Sequence, residues 1–263
     1  MITETSRRDP FSLRGRTALV TGLANADSIA YGCASAMHDA GAELLLSYGH
    51  PKADKHVQPL AAALGGAEAL LCDVQHEDQV AALFERVAAR WGRLDVLVHS
   101  MAFAPKDDLH GRVVDSSRDG FALAMDISCH SFLRLARYAE PLMKEGGTLI
   151  TLSYYGAEKV VDHYNLMGPV KAALESAVRY LAAELGPQGI RVHAISPGPI
   201  PTRAASGIAH FDRLLKSAAE RAPLRRLAGI DDVGHTAVFL AADAGRALTG
   251  STLYVDAGLN VRA

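Results

Sequence analysis

Short runs rich in Val, Ile and Leu recur seven times along the chain, at 16–21, 43–48, 69–72, 94–99, 148–152, 191–196 and 252–255. Each is too short for a stable helix and nearly continuous in apolar character, the pattern of a strand buried on both faces. Between most of them lie longer stretches whose apolar residues return every three or four positions, as Val80, Leu83, Val87 and Trp91 do within 78–91. Strand and helix in alternation call for right-handed crossovers and a parallel sheet covered on both sides. The expected fold is therefore α/β, a single doubly wound, Rossmann-like domain of about seven parallel strands flanked by helices. The segment 198–223 breaks the rhythm with a loop and an extra helix. In such folds ligands sit beyond the carboxyl ends of the strands, so this insertion is placed to cover a substrate. We expect a flexible N-terminal segment over 1–12 and one domain over 13–263.

Composition excludes several function classes. The 263 residues are 49% hydrophobic and 21% charged, enough for one sizeable core. A formal net charge of −2 offers no general attraction for polyanions, so no nucleic-acid partner is expected. Cys33, Cys72 and Cys129 have neither disulfide-framework nor zinc-site spacing; no metal is expected, and a reducing cytoplasm suits such thiols. Ser6-Arg7-Arg8-Asp9-Pro10-Phe11 looks like a twin-arginine export motif, but the apolar run after it breaks at Gly22 and reads as a first strand. A cytoplasmic location is expected. No apolar stretch reaches membrane-spanning length, and no membrane partner is expected.

After the first strand, Thr21-Gly22-Leu23-Ala24-Asn25-Ala26-Asp27-Ser28-Ile29-Ala30 leads into a helix expected over 28–40. Gly22 permits a tight turn, Ser28 and the helix-opening amides can donate to phosphate oxygens, and the small Ala30 permits close helix–strand packing. Only one glycine of the usual three is present, so alone this segment is equally an ordinary βα turn. Two further strand ends fall in register with it. Asp73 can accept from an adenine amino group while Val74 packs on the ring, and Ser100-Met101-Ala102 lets the backbone approach a nicotinamide ribose. The second strand runs into Tyr48-Gly49-His50-Pro51-Lys52, with no acid placed for both ribose hydroxyls and no arginine placed for a 2′-phosphate. NADH is the expected cofactor, and His50 with Lys52 keeps NADPH open.

Leu152-Ser153-Tyr154-Tyr155-Gly156 and the stretch from Tyr164 to Lys171 concentrate the remaining chemistry. Seven residues apart, Tyr164 and Lys171 would share one helical face, two turns apart. A phenol can donate to a substrate oxygen that becomes anionic, while an ammonium holds the nicotinamide ribose and favours charge on that oxygen. Tyr155 and Lys159 form a competing Tyr-x3-Lys pair. It follows a strand directly and contains Gly156, so a loop is expected there, and Ser153 lies too near it to serve as the usual upstream serine. His99, His130 and His163 form no ligand set, and each is read as a solvated or capping histidine.

On these residues the chain resembles the enoyl-acyl-carrier-protein reductases, a divergent branch of the short-chain dehydrogenase/reductases that carries Tyr-x6-Lys where other members carry Tyr-x3-Lys. Also similar are the phosphate turn ending Ser28-Ile29-Ala30, His99-Ser100, Phe103-Ala104-Pro105, Asp126-Ile127-Ser128 and Leu152-Ser153-Tyr154. Gly198-Pro199-Ile200 with Thr202, and Ala204-Ala205-Ser206-Gly207-Ile208, continue the match, which runs from near Leu13 to Val255-Asp256-Ala257-Gly258. The chain departs from the pattern at Gly49, where the family often has a polar adenosine contact, and at Pro197, where several members have Ala. Gly49 bears on cofactor preference and leaves the chemistry alone.

The resemblance implies three catalytic residues: Tyr164 on a thioester carbonyl, Lys171 on the cofactor ribose, and Tyr154 lining the substrate pocket. It implies dinucleotide contacts from Gly22, Ser28, Ile29, Asp73, Val74, Ser100, Met101, Ile200 and Thr202. Beside the tyrosines, Ala102, Phe103, Met167, Ala204, Ile208 and Phe211 would meet substrate. The implied activity is hydride transfer from NAD(P)H to the 2,3 double bond of a trans-2-enoyl-acyl-carrier-protein thioester in fatty-acid elongation. Ketone or ketoacyl reduction by another short-chain reductase is the first alternative, opposed by the Tyr-x6-Lys spacing and by Tyr154 in place of serine. A non-catalytic dinucleotide sensor is the second, opposed by the retained Tyr164–Lys171 pair.

Two association surfaces are also expected. The helix over 171–185 carries Ala172, Leu174, Val178, Leu181, Ala182 and Leu185, too many apolar residues for one stripe, and the family resemblance implies a homotetramer. The window 203–226 has a local excess of four positive charges. Its Phe211, Leu214, Leu215 and Ala218 mark one helical face, leaving Arg213, Lys216 and Arg221 towards solvent as a rim suited to an acidic acyl carrier protein.

Overall fold

The computed structural model of the protein describes residues 9–202 and 211–262. Its strands are β1 Thr17–Thr21, β2 Glu43–Tyr48, β3 Glu68–Leu71, β4 Val96–His99, β5 Gly147–Leu152, β6 Ile190–Pro197 and β7 Ser251–Val255. They form one sheet in the order β3-β2-β1-β4-β5-β6-β7, with every neighbouring pair parallel, as the alternation of runs requires. The helices are α1 Ile29–Asp39, α2 Asp54–Ala63, α3 Glu77–Trp91, the short α4 Lys106–His110, α5 Arg118–Met125, α6 Ser131–Ala139, α7 Met167–Leu185, α8 Phe211–Arg221 and α9 Ile230–Ala241.

Successive strand residues point to opposite faces, so each strand feeds two cores. Leu19, Leu45 and Leu97 join Val80 and Leu83 of α3, Phe132 and Leu135 of α6, and Leu174 and Val178 of α7. Their neighbours Val20, Leu44, Leu46 and Val98 join Ala34 and Met37 of α1, Val57 of α2 and Val233 and Ala237 of α9. Helix α3 shows how local sequence sets an element. Glu77 and Asp78 sit in its first turn, Val80, Leu83, Phe84 and Val87 fall on one buried face, and Gly92 ends it in the left-handed conformation at φ 66°.

One local expectation fails. Tyr164 and Lys171 do not share a helix, because α7 begins only at Met167. Tyr164 occupies the turn before it, between His163 at φ 64° and Asn165 at φ 42°, both in the left-handed region. Elsewhere, the Pro10 carbonyl accepts from the Ala244 amide at 2.9 Å and Phe11 packs near Phe239, while residues 1–8 lie outside the described residues.

Helices α1 and α9 cross with their backbones in contact. A Cβ on Gly32 would stand 2.4 Å from the Ile230 carbonyl oxygen, and one on Gly234 would stand 2.3 Å from the Gly32 carbonyl oxygen. Gly234→Ala must therefore push the two helices apart, an overpacking penalty of about 1–3 kcal/mol. A thermal melt followed by circular dichroism should show Tm lowered by roughly 2–12 °C. An unchanged Tm would contradict this close crossing.

Candidate active site

From β1 the chain leaves towards α1 on one face of the sheet, and from β4 towards α5 and α6 on the other. The crevice between these neighbouring strands is the topological switch point of the fold. Gly22 stands there at φ 88°, and a Cβ on it would lie 2.1 Å from the Ser100 carbonyl oxygen. Only glycine fits, for conformation and for space alike. The Gly22 and Leu23 amides both donate to the Ser47 carbonyl at 3.0 Å, fixing the turn, and α1 starts at Ile29 with Ser28 as its N-cap. The Ser28 hydroxyl donates to the Asn25 carbonyl at 2.7 Å, so it braces the turn. The first amides of α1, with no preceding turn to receive them, are the donors on offer.

A cleft of about 490 Å³ opens over this point. Gly22, Ser28, Ile29, Ser100, Met101, Lys171, Ile200 and Thr202 of the expected dinucleotide set line it, as do Ala102, Phe103, Tyr154, Tyr164, Met167 and Phe211 of the substrate set. Asp73 and Val74 stand apart from its lining, at the end of β3. There the Asp73 carboxylate accepts from the Gln75 amide at 3.0 Å, and the Val74 carbonyl accepts from Arg134. Ala204 and Ile208 lie outside the described residues. Sequence reasoning did not single out Lys106 and Leu109 of α4, which also line the cleft. They are brought there because Asn165 Nδ2 donates to the Leu109 carbonyl at 2.8 Å, a link between distant segments that no local pattern announces.

Tyr154 and Tyr164 meet edge to face, with ring centroids 4.7 Å apart. Gly156 makes room for this, since a Cβ there would come within 2.6 Å of Tyr164 Cδ1. Burial pushes both phenols well above the ordinary tyrosine range, so each stays a neutral O–H donor. The Tyr154 hydroxyl is buried without a hydrogen-bond partner among the described residues. Lys171 is 4% exposed, and its Nζ donates to the Leu152 carbonyl at 2.6 Å. Burial brings the ammonium down to about 8, opposed by Cys129 and Glu175. The competing pair does not form a site: Tyr155 lies in a single 3₁₀ turn, Lys159 reaches the Asn260 carbonyl, and neither lines the cleft.

His99 is neither solvated nor a cap, contrary to the sequence reading. It is fully buried, with Nδ1 2.8 Å from Thr151 Oγ1 and Nε2 2.8 Å from Ser131 Oγ. The Ser131 hydroxyl donates to the Ile127 carbonyl, so it accepts from Nε2–H, which leaves Nδ1 to accept from Thr151. Burial, helped by the Lys171 charge, brings the imidazole down to about 3. Ser131 directly follows the single π turn Asp126–His130. Within that turn, Ser128 Oγ accepts from the Phe103 amide at 2.8 Å and lies 2.9 Å from the Phe103 carbonyl, tying down the cleft wall after β4. Among the described residues no group of His, Cys, Asp and Glu could hold a metal ion.

From one end to the other the cleft thus offers helix-opening amides, a buried ammonium with N–H bonds beyond the one given to Leu152, and an unpartnered buried hydroxyl. Its walls include the apolar Met101, Leu152 and Ile200. This donor set fits a nicotinamide dinucleotide. A family model described as enoyl-(acyl carrier protein) reductase matches residues 22–260. The chain belongs to this family.

Enoyl-(acyl carrier protein) reductases also supply the similar proteins. The chain is 48% identical over 246 residues to enoyl-(acyl-carrier-protein) reductase (NADH) 1 of Rhizobium meliloti strain 1021, covering 94% of this chain and 90% of that protein. The crystal structure of the enoyl-(acyl-carrier-protein) reductase (NADH) from Aquifex aeolicus VF5 superposes with a TM-score of 0.93 at 46% identity, covering 95% of this chain and 98% of that one. The reductase from Anaplasma phagocytophilum, solved in complex with NAD, gives 0.91 at 48% identity, covering 95% of each.

Lys171 is an ammonium below about pH 8 and neutral above it, so a ligand that relies on that charge must weaken as pH rises through this value. The dissociation constant of NADH, followed by nucleotide fluorescence, should be flat from pH 6 to 7 and rise steeply between pH 8 and 9.5. A flat profile across the whole range would show that the charge is not used.

Proposed function

We propose that this chain reduces the 2,3 double bond of trans-2-enoyl thioesters carried on acyl carrier protein, with NADH as reductant, in fatty-acid elongation. The observation that carries this reading is the meeting of the neutral Tyr164 phenol, the buried Lys171 ammonium and the opening amides of α1 in one cleft. Bound NADH would supply the hydride that goes to the β-carbon of the enoyl thioester, and a proton taken up from solvent at the α-carbon would complete the reduction. Every other part falls to the protein. The α1 amides receive the pyrophosphate, and Lys171 holds the nicotinamide ribose. Asp73 and Val74 serve the adenine at the end of β3. Tyr164 donates to the thioester carbonyl oxygen, which gains negative charge as the double bond is reduced, and a phenol that keeps its proton is the right donor for that oxygen. Tyr154, Met167 and Phe211 crowd the acyl chain and exclude water. Relatives named for NADH favour that cofactor over NADPH.

The working unit is the domain over 13–263, acting in the cytoplasm as a homotetramer. No helix among the described residues is long and apolar enough to cross a membrane. On α7, Leu174, Val178, Ala182 and Leu185 face the core and Leu181 packs against it, which leaves half-buried Ala172 and exposed Tyr180 for a subunit contact.

Absorbance loss of NADH with crotonyl and longer 2-enoyl thioesters, set against 3-ketoacyl thioesters, tests the reaction. Enoyl substrates alone should turn over. Tyr164→Phe should lower kcat on the order of 100-fold and leave nucleotide binding nearly intact, whereas Lys171→Ala should weaken nucleotide binding. Turnover of ketoacyl substrates only, or of none, would overturn the reading.

Arg213, Lys216 and Arg221, the rim expected for an acidic carrier, are all exposed on α8, while Arg203 lies outside the described residues. Arg226 is paired with Asp232 at 2.9 Å and Arg225 donates to the Glu220 carbonyl. Arg213 and Lys216 are exposed on α8, while Phe211 and Leu214 of the same helix line the cleft. Carried on the helix that also supplies cleft-lining residues, these two cations can steer an acidic carrier. Arg213→Glu and Lys216→Glu should lower kcat/KM for an enoyl-carrier-protein at low salt and leave that for a truncated neutral thioester unchanged. Equal losses for both substrates would remove the rim from recognition.

A further inference from the structure

One helical turn beyond Lys171, Glu175 is buried to 5% exposure, and its Oε1 accepts from Ser153 Oγ at 2.5 Å. Lys171 meanwhile donates to the carbonyl of Leu152. Two residues four apart on α7 thus grip two successive residues at the end of β5. The next residue is Tyr154, whose ring packs on Tyr164. Glu175 is absent from the cleft lining, so it touches neither cofactor nor substrate there.

We propose that Glu175, as a carboxylate, is a positioning residue for the reaction assigned above: through Ser153 it fixes the strand end that carries Tyr154, and its charge stabilises the Lys171 ammonium from one turn away. The inference rests on the reductase reading of this cleft.

Several groups face this pair. Around Lys171 stand Cys129 from the π turn and neutral His99 from β4. Around Glu175 stand Arg179 on α7 and Glu158 from the β5–α7 connection, with Thr252 hydrogen-bonded to it from β7 and Tyr254 within its field. Burial raises the Glu175 carboxyl above its ordinary value and Glu158 adds to this, while Ser153, Arg179 and Thr252 favour the ionised form. Burial lowers the Lys171 ammonium below its ordinary value, and the Glu175 charge opposes that shift. A purely structural glutamate would need only its hydrogen bond to Ser153. The charge on Lys171 is the part that a neutral replacement cannot supply.

Glu175→Gln keeps the shape and a partner for Ser153 but removes the charge, whereas Ser153→Ala removes the bond and keeps the charge. The pH at which NADH affinity fails should drop by about one unit in Glu175→Gln, so that Kd at pH 8 rises about fivefold over wild type while Kd at pH 6 stays the same. Ser153→Ala should leave this pH limb in place and lower kcat several-fold on whichever thioester the wild type reduces. Nucleotide affinity is read without thioester, so a wrong substrate assignment, already exposed by the wild-type assay, leaves this outcome untouched. A Glu175→Gln limb that coincides with wild type would overturn the electrostatic role, and wild-type kcat in Ser153→Ala would overturn the positioning role. Melting curves accompany both variants. If Glu175→Gln fails to fold, the kcat of Ser153→Ala decides the proposal by itself.

Discussion

Lys171 places an ammonium where almost no water reaches it, and much of the surrounding structure answers to that placement. A buried ion without compensation is strongly unfavourable, so it must be met by carbonyl oxygens or by opposite charge. The Leu152 carbonyl meets it from the end of β5, and Glu175 acts on it from the next turn of α7. Both contacts require α7 to lie close on the sheet, which Leu174, Val178 and Ala182 secure by filling the core on that face. Tyr164 stands outside that helix. It sits in the preceding turn, against Tyr154 and over Gly156, where it lines the cleft.

The sheet was legible in the sequence because burial on two faces turns a strand into a nearly continuous apolar run, and such runs leave little ambiguity about order or direction. Residue chemistry at strand ends was legible for a related reason. Gly22 and Ser100 meet across the switch point, where a Cβ on Gly22 would lie 2.1 Å from the Ser100 carbonyl oxygen, and small residues stand out there. Tyr164 was misplaced because a separation of seven residues suits two helical turns equally well. Only the left-handed backbones of His163 and Asn165, which a sequence permits without announcing, interrupt the helix. Glu175 escaped notice because it reads as one polar residue on an amphipathic helix, and its partner Ser153 lies on another element.

His99 was misread for a similar reason. Its partners Ser131 and Thr151 lie 32 and 52 residues away in sequence, on α6 and β5, so its burial is a property of the assembled fold. The Asp126-Ile127-Ser128 motif was visible, but the π turn that aims it was not. That single irregular turn places Ser128 on Phe103 and sets up Ser131 to meet His99. A local departure from α-helical hydrogen bonding thereby serves two strand ends at once.

The bonds through His99 all run one way. The Thr151 hydroxyl donates to the ring, the ring donates to Ser131, and Ser131 donates to a backbone carbonyl that has no proton to pass on. A chain of donors that ends at an amide oxygen cannot relay a proton in either direction without breaking a link. The residue type most associated with proton transfer has here been made inert, a cross-brace between β4, β5 and α6. Among the described residues that line the cleft, the titratable groups are the phenols of Tyr154 and Tyr164 and the amines of Lys106 and Lys171, with no imidazole beside them.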